Sequence, residues 1–388
     1  FTLKFGVANI VFFILIKKIL CYIYTHTILI NISLSLEFSS IVLYWYFKNQ
    51  RDFPWRKSKS VYKVWLSEII LQQTQTSQGL SYYNEIINTF PTLKELAEAS
   101  EEQILKLWQG LGYYSRARNL HFTAKYIQNN LNGVFPDNYN SLIKLKGIGP
   151  YTAAAISSIC FNEKRAAVDG NVYRILARVF NIDTAINSPE GIKTFQELAN
   201  SLISETNPGD YNQSMMDIGA SICTPKNPKC NQCPLKSICL AHDNSTINNL
   251  PVKIKKTKIK HRYFHYLCIE HNGNFLMKKR TQKDIWRNLY DFPLIEGGGI
   301  PKESDIDYKK LLNSILQNEI VIIKKTKHYE HQLTHQKLDI TIEYIKTNKI
   351  NNDNGFLKVN RIQVKELPIP KPIERFFEEL FNSLDCKI

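Results

Sequence analysis

Four cysteines and two carboxylates carry the chemistry that can be read directly from this chain. Cys223, Cys230, Cys233 and Cys239 form a C-x6-C-x2-C-x5-C run. Four thiolates in one short loop can hold a metal centre, and both zinc and an iron–sulfur cluster accept four cysteines. Zinc sites usually pair two C-x2-C knuckles across a longer gap, and this run has one such pair. Glu68 falls in Val64-Trp65-Leu66-Ser67-Glu68-Ile69-Ile70-Leu71, with Val64, Trp65 and Leu71 as its helical neighbours. Glutamate is rarely buried unpaired. On such a stripe, desolvation raises its pKa and lets it hold a proton near neutral pH for general acid catalysis. The plainer alternative is an exposed Glu68 with the stripe facing elsewhere. Asp169 ends the apolar run Ala166-Ala167-Val168, just before a helix that starts near Val172. By default such an aspartate is an N-cap. The helix terminus also favours its ionised form. A proton-holding acid and an ionised carboxylate together suit cleavage of a glycosidic bond, where the second carboxylate steadies an oxocarbenium-like transition state.

The elements that must position these groups are mostly helical from about Phe38 to Ala241. Val61–Gln73, Leu93–Ala99, Glu101–Gln109, Ala117–Asn130 and Tyr151–Cys160 place apolar residues at helical spacing. A helix over Met215–Ile222 leads into the cysteine loop, where Lys226, Lys229 and Lys236 are placed to face phosphates. Leu145-Lys146-Gly147-Ile148-Gly149-Pro150 lies between two helical stretches. Gly147 and Gly149 permit a tight turn, and Pro150 suits a first helical turn. The amides exposed at that helix start make an anion site fit for one phosphate of a nucleic acid. Alone, two such glycines are a weak signal; flanking helices and the aspartate twenty residues on strengthen it.

Residues 244–261 read as a basic linker with Lys253, Lys255, Lys256, Lys258 and Lys260. Strand signals follow: Tyr263–Ile269 is β-rich, His271-Asn272-Gly273-Asn274 signals a hairpin, Phe275–Met277 begins the return strand, and Ile340–Ile345 alternates. The expected domains are therefore a helical one over 41–243, with the cysteine loop at 223–239, and an α+β one over 262–388. The extension 1–40 is expected to lie outside the fold. Its apolar run Ile10–Ile16 and a second at Ile41–Phe47 are both shorter than the roughly 20 residues that span a bilayer.

With 388 residues and 44% apolar content, the chain can bury two ordinary cores. A formal net charge of +15 favours a polyanionic partner, nucleic acid or an anionic membrane surface, unless the many lysines are only solvated surface. Eight cysteines, four of them scattered, suit a reducing compartment better than a disulfide framework. We therefore expect a cytoplasmic protein with no obligate membrane partner.

Taken together, these pieces resemble the MutY family of adenine DNA glycosylases, within the helix-hairpin-helix/endonuclease III superfamily. The matching segments are Arg51-Asp52-Phe53-Pro54-Trp55-Arg56, Trp65 to Gln75, Trp108-Gln109-Gly110-Leu111-Gly112-Tyr113-Tyr114, Leu145 to Tyr151, Val168-Asp169-Gly170-Asn171-Val172 and the four cysteines. The resemblance runs from about residue 42 to 385 and is tighter in the first domain. It implies a mainly α, two-lobed helix-hairpin-helix domain with a [4Fe–4S] loop, then a Nudix-like domain that reads 8-oxoguanine. The implied partner is duplex DNA carrying an A:8-oxoguanine or A:G mispair, bound by a monomer. Glu68 would protonate adenine N7, Asp169 would support the sugar cation, and Tyr151 and Asn171 would assist. Gln73, Leu111 and Tyr113 would fill or wedge the duplex, with Arg51, Thr74, Gly147 and Gly149 also at the DNA. Trp55, Arg56 and Asp217 would line the adenine pocket. Trp65 and Trp108 read as core. Thr334-His335 stands where the family has Ser-His against the oxidised base, and threonine keeps the hydroxyl.

Two departures bear on mechanism. Endonuclease III places a catalytic lysine where this chain has Tyr151, and some adenine glycosylases have a lysine where it has Tyr173. Without an amine nucleophile, Schiff-base strand cleavage is expected to be weak or absent. No glutamate-rich Nudix box follows residue 262, so nucleoside triphosphate hydrolysis is not expected. The competing readings are a pyrimidine glycosylase/lyase of the endonuclease III type, a non-catalytic iron–sulfur DNA-binding protein, and a membrane-attached protein using residues 1–40.

Overall fold

The computed structural model describes residues 36–254, 259–297, 299, 305–316, 323–351 and 355–385. Contacts divide the chain into two compact units. The first takes the described residues up to Ile69 together with Val134–Ile254, and the second takes Ile70–Gly133 together with Lys255–Ile388. The first unit opens with α1 (residues 36–49) and α2 (Val61–Leu71), whose last turn crosses into the second. The second unit then holds α3 (Thr76–Thr89), α4 (Leu93–Glu98), α5 (Glu101–Leu107) and α6 (Ser115–Asn130). The first resumes with α7 (Tyr139–Leu142), α8 (Pro150–Phe161), α9 (Gly170–Val179), α10 (Pro189–Leu202), α11 (Pro208–Ser221) and α12 (Leu240–Asp243). Local chemistry sets these limits. Thr92/Glu95 and Ser100/Gln103 close capping boxes on α4 and α5. Proline occupies the first turn of α8, α10 and α11. Asp169 caps α9.

The core of the first unit gathers Phe38 and Val42 of α1, Ile175 and Leu176 of α9, Phe195 of α10, and Met215 and Ile218 of α11. Phe38 is 0% exposed. The boundary expected at residue 40 thus falls inside a packed helix, because Phe38 fills the core one turn before Val42. Residues 1–35, with the run Ile10–Ile16, lie outside the described residues. The expected linker also begins too early. Leu250 belongs to this core, the Ile186 N–H donates to the Val252 carbonyl at 3.0 Å, and Arg178 Nε donates to the carbonyls of Ile247 and Leu250, each at 3.2 Å. Residues 244–254 are therefore tied to the helical unit. Lys255, Lys256 and Lys258 lie outside the described residues. Among the described residues, no helix is long and apolar enough to cross a membrane.

In the second unit, the strands are β1 (Lys260–His271), β2 (Asn274–Lys279), β3 (Tyr290–Asp291), β4 (Leu294–Gly297), β5 (Ile323–Gln332), β6 (Gln336–Thr347) and β7 (Leu357–Asn360). They run in the order β3-β2-β1-β6-β5, with β4 on β1 and β7 on β2. The central pair β1 and β6 is parallel, in register from Lys260↔Gln336 to His271↔Thr347. Parallel neighbours cannot share a hairpin, so the connecting chain carries α13 (Ile306–Ile315) and β5. Helices α14 (Arg361–Glu366) and α15 (Lys371–Asp385) end the chain. The expected hairpin forms with Asn272 at φ 50 and Gly273 at φ 74, the left-handed pair of a tight turn.

Contacts group residues 70–133 of the expected two-lobed domain over 41–243 with the second unit. Side chains of α5 engage the C-terminal strands of the same unit. Glu102 Oε1 accepts from Lys279 Nζ and from the Tyr290 hydroxyl, each at 2.7 Å. The Ile369 N–H donates to Gln109 Oε1 at 3.0 Å. Because Phe38 is sealed in the first unit's core, Phe38→Ala should cost about 3–5 kcal/mol by the usual cavity penalty. Denaturant unfolding measures this, and a loss under about 1 kcal/mol would place α1 outside the cooperative core.

Candidate active site and metal centre

In the first unit, α2, α8 and α9 bring Glu68, Tyr151 and Asp169 together. Glu68 is 9% exposed on the apolar stripe of α2. Burial lifts its carboxyl to about 7; the Tyr151 hydroxyl hydrogen-bonded to it and the Arg56 guanidinium pull the other way, and the Asp169 charge pushes further up. Tyr151 is the second residue of α8, placed by the hairpin. Gly147 turns at φ 82, Gly149 caps the helix with extended backbone, and Pro150 starts it. The Tyr151 hydroxyl also lies 3.5 Å from the Met216 sulfur.

Asp169 is both cap and candidate catalyst. Its Oδ1 accepts from the N–H groups of Asn171 and Val172, each at 2.9 Å, and its Oδ2 accepts from Asn171 Nδ2 at 2.8 Å. Burial nevertheless pushes its pKa up, against these donors and the Arg174 guanidinium. The cap alone therefore does not fix its charge, as position at a helix terminus suggested. Asn171 is held from behind. Arg174 Nη2 donates to Asn171 Oδ1 at 2.9 Å and to the Gly219 carbonyl at 2.7 Å. A Cβ on Gly219 would stand 2.4 Å from that of Asn171, so only glycine lets α11 approach this closely.

Asp217 departs from its expected place in a base pocket. It is 0% exposed. Its Oδ1 takes Arg51 Nε at 2.7 Å and Arg56 Nη2 at 2.9 Å, while its Oδ2 takes Arg56 Nη1 at 2.7 Å and the Arg51 N–H at 3.2 Å. Burial works against its charge, yet the two arginines hold its pKa below the usual carboxylate value. With both oxygens engaged, Asp217 orients Arg51 and Arg56 and has no edge left for a ligand. Trp55 is buried and stacks on Phe53 with centroids 4.8 Å apart. The Arg56 guanidinium lies 5.2 Å from the Phe53 ring. These residues form one cationic, aromatic wall.

The four cysteines ring a single cavity at the end of α11, closed by Ile175, Ile218 and Leu235. Among the described residues, no three His, Cys, Asp or Glu converge closely enough to share one metal ion. A tetrahedral zinc with Zn–S near 2.3 Å needs sulfurs roughly 3.8 Å apart. Four thiols around one largely apolar cavity are a donor set that a multi-iron cluster accepts. Arg178 Nη1 donates to Cys223 Sγ at 3.4 Å and to the Thr224 carbonyl at 2.8 Å, and Arg174 Nε donates to the Cys223 carbonyl at 2.6 Å. Lys226, Lys229 and Lys236 are exposed on this loop.

The second unit holds the remaining expected contacts. Gln73 and Tyr113 are exposed, both on left-handed backbone at φ 57 and φ 48. The Tyr113 hydroxyl hydrogen-bonds Thr334 Oγ1. Thr334 and His335 are exposed in the turn between β5 and β6, where the Lys260 N–H donates to the His335 carbonyl at 3.0 Å. Thr74 supports its turn through Oγ1, 3.4 Å from the Gln72 carbonyl. Leu111 does not join the exposed set. It is 7% exposed and lines the same cavity as Tyr113, Thr334 and His335. Trp65 and Trp108 are fully buried, as expected of core. Tyr173 packs edge-on against Phe195 at 5.5 Å. Sequence reading missed Arg174, Arg178, Gly219 and Met216. The spacing of Arg174, three residues after Asn171 on one helix face, was the available signal for the first.

Comparison with known proteins gives a consistent picture. Residues 66–201 match the HhH-GPD superfamily of base excision DNA repair proteins. Residues 223–239 match the iron-sulfur binding domain of endonuclease III, and 250–379 match the NUDIX domain. The chain is 35% identical over 351 residues to an adenine DNA glycosylase of Buchnera aphidicola subsp. Acyrthosiphon pisum, covering 89% of this chain and 98% of that one. It is 42% identical over 213 residues to a human adenine DNA glycosylase, covering 53% of this chain and 39% of that one. Among solved structures, a thermostable thymine-DNA glycosylase superposes with TM-score 0.51 at 29% identity, covering 55% of this chain and 98% of that one. The four-cysteine loop is thus the site of a [4Fe–4S] cluster. Cys230→Ser should lower bound iron and bleach the visible absorbance of the purified protein. Wild-type iron content in that variant would remove Cys230 from the ligand set.

Proposed function

This chain belongs to the adenine DNA glycosylase family, and we propose that it hydrolyses the N-glycosidic bond of adenine mispaired with 8-oxoguanine or guanine in duplex DNA. The observation that carries the reading is the pair of carboxyls in one site: Glu68 lifted to about 7, so that it still holds a proton at neutral pH, and Asp169 under three donors. Glu68 gives its proton to N7 of adenine, which makes the base a better leaving group as the C1′–N9 bond breaks. Asp169 faces the positive charge that grows on the sugar, as the second carboxylate does in glycoside hydrolysis. Water then adds to C1′, and the proton it sheds restores Glu68. Tyr151 tunes the acid, and Asn171 holds Asp169 in place.

In this reading Gln73 and Tyr113 occupy the gap left by the extruded base. Extrusion costs a few kcal/mol, least at a mispair. Thr334 and His335 offer a hydroxyl and a ring nitrogen to the opposite base. The exposed lysines of the iron–sulfur loop and the hairpin amides before α8 take phosphates. The enzyme acts as a monomer in the cytoplasm, on chromosomal DNA.

Reaction by water, with little or no lyase step, is supported by the groups that act on the two carboxyls. The cations bearing on Glu68 and Asp169 are the guanidiniums of Arg56 and Arg174, which do not act as amine nucleophiles. The Cys160 thiol, which also feels Glu68, is pushed up to about 12 by burial and stays protonated. Borohydride should therefore trap no covalent enzyme–DNA adduct on a cleaved duplex, and an adduct in high yield would show a lyase.

Base release from an A:8-oxoguanine duplex, revealed as alkali-labile nicks, tests the reading. Glu68→Gln should slow the single-turnover rate by about 10²–10⁴-fold, the usual worth of a general acid, while duplex binding persists. The wild-type rate should fall as pH rises through about 7, since the protonated acid is the active form. The Tyr151 hydrogen bond lowers the Glu68 pKa, so Tyr151→Phe should move that limb to higher pH. Unchanged release by Glu68→Gln would favour another acid, and no release by wild type with its cluster loaded would favour a non-catalytic DNA-binding protein.

A further inference from the structure

Gln73 and Tyr113 sit on backbone that side-chain-bearing residues seldom adopt. The first lies in the turn after α2, at φ 57; the second lies in the turn before α6, at φ 48, directly after Gly112 at φ 76 and shortly after Gly110 at φ 91. A left-handed conformation is strained for a residue with a side chain unless its surroundings over-determine it. One group touches both turns. Arg116, in the first turn of α6, is 8% exposed. Its Nη1 donates to the carbonyls of Ile70 at 2.8 Å and Gln72 at 2.5 Å, on the first turn. Its Nη2 donates to the carbonyls of Leu111 at 3.3 Å and Gly112 at 3.1 Å, on the second. Its own N–H donates to the Tyr113 carbonyl at 2.8 Å. The guanidinium lies 5.2 Å from the Trp108 ring and 5.7 Å from that of Tyr113. Trp108 Nε1 adds a bond to the Gly112 carbonyl at 3.1 Å.

We propose that Arg116 is a positioning residue for base extrusion, a buried clamp that locks the Gln73 and Tyr113 turns at a fixed spacing so that both side chains enter one base step together. This rests on the reading that the chain excises a base from a duplex. The geometry suits only arginine. Its planar fork carries donors at fixed angles on two nitrogens, one for each turn, whereas an ammonium is a single point on a flexible stem. Burial lowers the guanidinium to about 10, so it remains charged at neutral pH and its bonds to the four carbonyls are of the charge-assisted kind. Neither turn makes direct use of the other's backbone in these bonds; the guanidinium is the shared member. Loss of the fork therefore frees each turn to leave its strained conformation separately. A wedge displaced by about 1 Å loses much of its effect, in the way misplaced catalytic groups do.

The test puts 2-aminopurine, which brightens when unstacked, at the target position opposite 8-oxoguanine and follows fluorescence after mixing with wild type or Arg116→Lys. The lysine keeps the charge and can reach one turn only. Extrusion should slow by about 10- to 100-fold, while duplex affinity, iron content and release of adenine from an unpaired bulge stay near wild type. Wild-type extrusion kinetics in folded Arg116→Lys would overturn the proposal. An absent signal in wild type itself would instead overturn the functional reading. If Arg116→Lys does not fold, hydrogen exchange in Gly112→Ala decides. That change strains only the second turn, with open space around the new Cβ, yet amides at residues 70–74 should exchange faster because both turns share one guanidinium. Unchanged exchange there would show two independent turns and sink the clamp.

Discussion

The structure of the first unit turns on keeping one carboxylic acid out of water beside another carboxylate. Glu68 is lifted to about 7 chiefly by burial, with the Asp169 charge adding to the lift. An unpaired buried carboxylate is costly, and the group answers by holding a proton instead. Everything around it serves that balance. The apolar stripe of α2 supplies the dry surroundings. The hairpin places Tyr151 where one hydrogen bond draws the acid back toward neutrality. Burial lifts both carboxyls, but Asp169 takes three donors of its own at the start of α9 that oppose the lift, so the two differ in how many donors hold the charged form. Divergent surroundings of this kind are what assign acid and charge-stabilising roles to otherwise similar groups.

The arginines are the second organising theme. Arg51 and Arg56 close on Asp217, so a fully buried aspartate is satisfied and an aromatic, cationic wall is fixed. Arg174 and Arg178 run from α9 into the cysteine loop, joining Asn171 to the Cys223 carbonyl and to the backbone that follows it. The cluster loop is therefore built into the packing of the helix that Asp169 caps. Replacing any of these guanidiniums by lysine would keep charge but lose the forked geometry on which each site depends.

Much of this was legible in the residues themselves. The Glu68 stripe, the capping aspartate, the glycine turn before Pro150 and the cysteine spacing all carry local signals, and each falls where local rules put it. The Asn272-Gly273 turn likewise forms as its type requires. What sequence could not show arises from contacts distant along the chain. The resemblance alone puts Asp217 at the base pocket, and nothing nearby in the chain names its partners, which lie some 160 residues away at Arg51 and Arg56. The near-burial of Leu111 beside the exposed Tyr113 is equally invisible in the residues. The core position of Phe38 and the parallel pairing of β1 with β6 are likewise tertiary facts, hidden from periodicity. The grouping of α3–α6 with the C-terminal strands rests on ties such as Glu102 to Lys279 and Tyr290, which span more than 170 residues.

The central claim is that Glu68 is a carboxylic acid lifted by burial so that it titrates near neutral pH, at about 7. Infrared difference spectra between wild type and Glu68→Gln, recorded across a pH titration, observe that one carboxyl directly. The account predicts a protonated C=O band that half-disappears near pH 7 and moves upward when Tyr151 is replaced by Phe. A band already lost near the ordinary carboxylate value of 4.5 would show an exposed, ionised Glu68 and contradict the account.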